Sequence, residues 1–274
     1  MSLTAATIRR SYVDGTWGQV HVRMTQGRSG GTPLLLLHPT PKSGWIYEGL
    51  MRDLGSDRTA IAPDTPGYGA SDGPPAPASI EDFAGEMVRL VEQLTASGQI
   101  PAGPVDVLGY HTGSVIATAM ARLYPEKVRR LVLVSLAAYD EPTRLQKREG
   151  LKNWRGPSED GSHLTAMWTL MQSLFDPRID AEWKHASLTE NLRPGKRAPW
   201  GYDAVYRYDF QAALDELTHR TLILNPEDDL WVPTRDNHRR VRNADYVELP
   251  GLGHGLFDLE TDRIAGLVRD FLNK

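Results

Sequence analysis

His111 is the residue whose setting carries most chemistry in this chain. It lies in Val107-Leu108-Gly109-Tyr110-His111-Thr112-Gly113-Ser114, where an apolar run leads in and a helix-like run, Val115 to Leu123, leads out. The Gly-x-His-x-Gly spacing predicts a sharp strand-to-helix turn that holds residue 111 strained and exposed. Glycines flank it because larger side chains would collide with the strand and helix in so tight a turn. Serine is the usual residue at such a point. A histidine there can act as a nucleophile through its neutral imidazole, or as a general base for water.

Such a turn needs three kinds of partner. A second base belongs in the loop after the last strand, where His254 stands in Gly253-His254-Gly255. An acid belongs after the penultimate strand, where Glu227-Asp228-Asp229-Leu230-Trp231-Val232-Pro233 offers two aspartates. Backbone N–H groups must face the developing negative charge. Thr112 and Thr40 are the expected donors; in His38-Pro39-Thr40-Pro41 neither proline has an N–H to give. Ser114 lies three residues beyond the turn, inside the helix, and is no substitute nucleophile. Two imidazoles meeting at one site titrate as a coupled pair, with at least one neutral near pH 7.

The 274 residues suffice for a substantial core, and a net charge of −4 argues against an electrostatic nucleic-acid binder. With no cysteine, disulfides, thiolate catalysis and zinc–thiolate sites are excluded. The opening stretch MSLTAATIRRSYVDG lacks the apolar run of a signal peptide, and the longest apolar run, Leu34 to Leu37, is far too short to cross a bilayer. A cytoplasmic protein without membrane or nucleic-acid partners is the expectation.

Two short β-like segments, around Ser11–Trp17 and Gln19–Met24, open the chain. Unbroken apolar runs then alternate with helical patterns: Pro33–His38, Thr59–Ala62, Val105–Gly109, Leu131–Leu136, Thr221–Leu224 and Tyr246–Leu249. Such runs fit strands buried on both faces of a mostly parallel sheet, and the βαβ rhythm implies a doubly wound α/β fold. Ser79 with Asp82 makes a capping box for a helix whose apolar stripe runs from Ile80 to Leu94. Residues 139–213 contain no convincing strand but hold Trp154, Trp168, Trp183 and Trp200. They are expected to form a mainly helical insertion, because a loop of that length would be improbable in a compact domain. The predicted organisation is therefore a core of residues 1–138 and 214–274 with a helical cap at 139–213.

Five pieces in register resemble the α/β-hydrolase superfamily over nearly the whole chain: HPTP at 38–41, DTPGYGASD at 64–72, GYHTG at 109–113, DLWVP at 229–233 and GLGHG at 251–255. Their order, nucleophile then acid then histidine, is the order of that family. The resemblance implies an eight-stranded, mostly parallel sheet, a cap over the pocket, and Asp229 as the residue that orients His254, with Asp228 as the alternative. His111 is the departure, since serine, cysteine or aspartate serves relatives as nucleophile. The family's geometry puts the aspartate behind the base histidine. A cation would then find only His111 and His254 as direct ligands, and neither a metal nor any other cofactor is expected.

Other conspicuous residues have plainer roles. His38, Asp64 and the glycines at 67 and 69 are expected to support the turns they occupy, and Gly67-Tyr68-Gly69 lacks the remaining glycine of a dinucleotide loop. Trp231 beside Asp229, Trp168 in the insertion and Tyr110 in the turn are the expected substrate contacts, though cap aromatics also serve as the cap's own core. The insertion carries eleven Lys/Arg and eleven Asp/Glu, so its charge expresses no preference for anions. The expected activity is cofactor-independent hydrolysis of an ester, lactone or C–C bond at a carbonyl of a small apolar substrate, through His111, Asp229 and His254 with Thr40 and Thr112 as oxyanion donors. The alternatives are a non-hydrolytic enzyme on the same scaffold (lyase, isomerase or cofactor-free dioxygenase) and a ligand-binding protein without turnover.

Overall fold

A computed structural model describes residues 6–27 and 31–274; residues 1–5, the first part of the segment compared with a signal peptide, lie outside the described residues. Eight strands form one sheet: β1 (Ile8–Gly15), β2 (Gly18–Thr25), β3 (Leu34–Leu37), β4 (Ala60–Pro63), β5 (Val105–Tyr110), β6 (Val128–Val134), β7 (Thr221–Pro226) and β8 (Ala244–Leu249). Their spatial order is β1-β2-β4-β3-β5-β6-β7-β8. β2 runs antiparallel to both neighbours, and every pair from β4 to β8 is parallel. The doubly wound α/β arrangement expected from the apolar runs is present, with each strand within a few residues of its predicted position.

The reason for those runs is visible in β3. Leu35 and Leu37 enter the core on one face of the sheet, and Leu34 and Leu36 enter the core on the other. β6 divides in the same way, Leu131 and Leu133 against Val132 and Val134. A strand with two dry faces has no position for alternating polar residues. Eleven helices complete the described chain. α1 (Glu48–Leu54), α2 (Ile80–Ala96) and α3 (Thr112–Leu123) precede the insertion, α2 beginning at the Ser79–Asp82 capping box. In that box Asp82 N–H donates to Ser79 Oγ at 3.1 Å and Ser79 N–H to Asp82 Oδ2 at 2.8 Å.

Between β6 and β7 the chain is helical: α4 (Glu141–Gly150), α5 (Ser162–Leu174), α6 (Ala181–Leu192), α7 (Trp200–Arg207) and α8 (Phe210–Asp215). This stretch lies over the loops at the carboxyl ends of the strands. Tyr202 donates its hydroxyl to the Thr40 carbonyl at 2.7 Å, Gly201 N–H donates to the Tyr68 hydroxyl at 2.6 Å, and Trp183 Nε1–H donates to Asp258 at 2.8 Å. Phe175 bridges His254 through the backbone. α9 (Trp231–Asn237), α10 (Leu256–Leu259) and α11 (Thr261–Leu272) follow β7 and β8. Among the described residues no helix is long and apolar enough to cross a membrane.

Candidate active site

β5 ends at Tyr110 and α3 begins at Thr112, leaving His111 alone in the turn with φ 51° and ψ −114°. A left-handed conformation at a non-glycine residue costs on the order of 1–3 kcal/mol and persists only where its surroundings over-determine it. Here they do. His111 N–H donates to the Val134 carbonyl at 3.0 Å, and a Cβ at Gly109 or Gly113 would overlap backbone atoms of Gly113 or Leu37. Ser114 is fully buried and bonds the carbonyls of Gly109 and Val134 at 2.8 Å, so its hydroxyl braces the turn and cannot reach a substrate.

The ring centres of His111 and His254 lie 5.2 Å apart, and each imidazole has its own carboxylate. His111 Nε2 meets Asp228 Oδ2 at 2.9 Å; His254 Nε2 meets Asp229 Oδ1 at 2.8 Å. The two adjacent aspartates thus diverge. The Asp228 side chain is completely buried and also accepts from the Ser135 hydroxyl at 2.6 Å, the Tyr110 hydroxyl at 3.2 Å and Leu230 N–H at 2.8 Å. The Asp229 side chain is 47% exposed. In a serine triad the orienting acid takes Nδ1 and leaves Nε2 for the nucleophile. Here Asp229 takes Nε2 of His254, and Nδ1 faces the Tyr110 hydroxyl at 3.2 Å.

Charge follows this geometry. Burial alone would push the His111 pKa down, but the carboxylates of Asp228 and Asp229 and the hydrogen bond to Asp228 outweigh it and hold the pKa above its ordinary 6.5. Burial likewise opposes ionisation of Asp228 and Asp229, and the facing histidines still keep both carboxyls below the usual range. Burial, with the two carboxylates reinforcing it, drives the Tyr110 phenol well above its ordinary value, so Tyr110 is a neutral hydroxyl here. One donor atom from each of His111, Asp228, Asp229 and His254 lies within 4.8 Å of the others, a set whose composition suits a divalent cation. The four pair two by two, each imidazole Nε2 against a carboxylate oxygen.

Around this pair, Thr112 opens α3 with its N–H at the helix start, and its hydroxyl accepts the Thr40 N–H at a long 3.4 Å. His38 accepts from Thr65 N–H through Nε2 at 2.8 Å and donates from Nδ1 to the Pro39 carbonyl at 2.9 Å; it is a neutral turn support, its pKa lowered chiefly by burial. Asp64 anchors the neighbouring loops by accepting from Gly44, Ala70 and Arg23. Tyr110 and His254 line a narrow apolar cavity together with Lys42, Phe175, Trp183 and Phe257. Trp168 and Trp231 do not line it: Trp168 sits half-buried on α5, and the Trp231 ring is covered by Arg235 at 4.5 Å.

Ser135, Lys42, Phe175 and Trp183 were not singled out for the site from sequence. Ser135 had one available signal, a small polar residue ending an apolar strand; its φ of 55° and its bond to Asp228 follow from the turn after β6.

The alpha/beta hydrolase fold family model matches residues 32–261. The chain belongs to the α/β-hydrolase fold family. It is similar to 2-hydroxymuconate semialdehyde hydrolase of Pseudomonas sp. (strain CF600), 26% identical over 264 residues that cover 88% of this chain and 87% of that protein. It is also similar to pyrrolizixenacetamide deacetylase of Xenorhabdus hominickii, 24% identical over 254 residues covering 88% and 91%. Among solved structures it resembles the enol-lactonase from Burkholderia xenovorans LB400, with a TM-score of 0.78, 16% identity, and coverage of 96% of this chain and 100% of that one. This last likeness concerns the fold.

Proposed function

We propose that this member of the family is a cofactor-independent hydrolase acting at the carbonyl of a small, largely apolar ester, lactone or activated C–C compound, with the helical stretch 139–213 as its cap. The observation that carries the reading is the pair of imidazoles at the strand ends, each tied through Nε2 to its own carboxylate.

The pairing divides the labour. An Nε2–H donated to Asp229 turns the Nδ1 lone pair of His254 toward the Tyr110 hydroxyl, and the attacking water must take that hydroxyl's place to give its proton to Nδ1. Below its raised pKa His111 is a cation held against Asp228, a donor to the carbonyl oxygen as negative charge develops on it. Thr112 N–H and Thr40 N–H complete that support, the long Thr40 contact to the Thr112 hydroxyl being one that a substrate oxygen replaces. Water adds to the carbonyl carbon as His254 takes its proton; the tetrahedral oxyanion collapses, and His254 returns the proton to the leaving group. In this scheme His111 is an electrophilic and acid residue in place of a covalent nucleophile.

The relatives' names, a semialdehyde hydrolase and a deacetylase, support hydrolytic chemistry at a carbonyl. The test is turnover of short-chain esters and lactones in water enriched in heavy oxygen. One solvent oxygen in the acid product is expected. A product free of solvent oxygen would point to the lyase or isomerase reading, and tight binding without product to a ligand-binding protein.

A further inference from the structure

Among the described residues, Lys42 is the one strongly basic side chain that lines the cavity beside His254. Its Nζ donates to the carbonyl and to the hydroxyl of Ser187 on α6, the former at 3.2 Å. It also lies 5.7 Å from the Phe175 ring centre and 5.9 Å from that of Trp183. Among the described residues no carboxylate oxygen comes within 4.0 Å of it. Glu190, also on α6, is too distant to pair, although its charge is felt; its Oε2 is itself buried without a partner. An ammonium has three N–H donors, and only two oxygen acceptors are supplied here.

A partly buried cation without a carboxylate in pairing distance is stabilised less than a paired one, and an incoming anion would complete its set of partners. Two oxygen acceptors and two aromatic faces partly offset the burial of the charged form, and all three N–H donors of that form would be used once an anion enters. The missing partner is an anion. We propose that Lys42 anchors a carboxylate on the substrate while the reacting carbonyl lies at His111 and His254, so that the pocket selects anionic acyl compounds. The proposal rests on the hydrolase reading and names its substrate class.

Among the described residues, four titratable groups besides Lys42 face this lysine or its cavity: Glu190, Asp258, Tyr110 and His254. Burial pulls its pKa down to about 7, against the opposing pull of Glu190. Asp258, on α10 at the rim of the cavity, accepts the Trp183 Nε1–H at 2.8 Å, and burial raises its pKa. Tyr110 stays neutral and His254 faces Asp229. The entering carboxylate supplies the counter-charge and lifts the Lys42 pKa, so binding above pH 7 takes up a proton.

Two measurements with the whole protein test this. First, kcat/KM is compared for monomethyl adipate and methyl hexanoate in the protein as it stands, in Lys42→Met and in Lys42→Arg. A charge-assisted contact predicts a preference for the anionic ester of about tenfold or more, expressed in KM, kept largely in Lys42→Arg and collapsed in Lys42→Met. Second, calorimetry of hexanoate binding at pH 8 in two buffers of different ionisation enthalpy should show uptake of up to about 0.9 proton, given a free pKa near 7, and none of it in Lys42→Met. An unchanged ester ratio in Lys42→Met, or hexanoate binding without Lys42-dependent proton uptake, overturns the proposal. Hydrolysis of both esters without preference leaves the hydrolase reading standing and removes this one. Lys42-dependent binding with no turnover of either ester does the reverse.

Discussion

Asp228 Oδ2 lies 2.9 Å from Nε2 of His111, and this buried contact joins the turn after β5 to the loop after β7. It raises the pKa of the histidine in the strand-to-helix turn. Asp228→Asn is therefore expected to lower the His111 pKa and to cut kcat by about 10²-fold, the scale of a lost acid or electrophilic group. Breaking a buried pair also costs about 3 kcal/mol of stability, softened here by the Ser135, Tyr110 and Leu230 contacts that Asn can keep in part. Denaturant unfolding and an NMR titration of His111 measure both effects.

The same pair predicts how stability varies with pH. The folded pKa of His111 lies above 6.5, so its contribution is fully present below that value and is lost as pH rises through the folded value. Asp228 and Asp229 have folded pKa values below 3.8; their contribution is present above that value and is lost as pH falls through the folded values. Unfolding free energy should fall as pH rises above 6.5 through the folded His111 pKa in the unaltered protein, and by less in His111→Gln. Equal alkaline slopes would show that His111 is not the group involved.

Tyr202 reaches from α7 to the Thr40 carbonyl and holds the loop whose N–H is assigned to the oxyanion. Tyr202→Phe removes one hydrogen bond, a loss of about 1 kcal/mol, and should reduce kcat about fivefold while leaving the melting behaviour nearly intact. Steady-state kinetics beside a thermal melt separates the two effects.

With both imidazoles satisfied by carboxylates, turnover should be unaffected by chelators and unresponsive to added zinc, cobalt or manganese. Loss of activity in EDTA, restored by one of these ions, would turn the four donors His111, Asp228, Asp229 and His254 into a metal centre.

The strands and the turn at 109–113 were legible because their signals are local: apolar runs of strand length, and two glycines at fixed distance from His111. The members of the site were legible through the order of the loops that carry them. Their pairing was not. Asp228 and Asp229 are neighbours in sequence, and only the backbone path after Pro226 decides that one turns inward to His111 and the other outward to His254. The wall of the cavity was least legible, because α6 and the loop after α5 bring Phe175, Trp183 and Ser187 to Lys42 from more than 130 residues away. Aromatic content left that stretch open between pocket wall and a core of its own, and did not distinguish Trp183 from Trp168.

The most direct test compares kcat/KM on the best ester or lactone for the unaltered protein, His111→Ala and His254→Ala. The account predicts that each substitution lowers kcat/KM by about 10²-fold or more, and that His111→Ser does not exceed His111→Ala unless serine gains the role of nucleophile beside His254. Full activity in either alanine variant would contradict the claim that the two imidazoles carry the reaction.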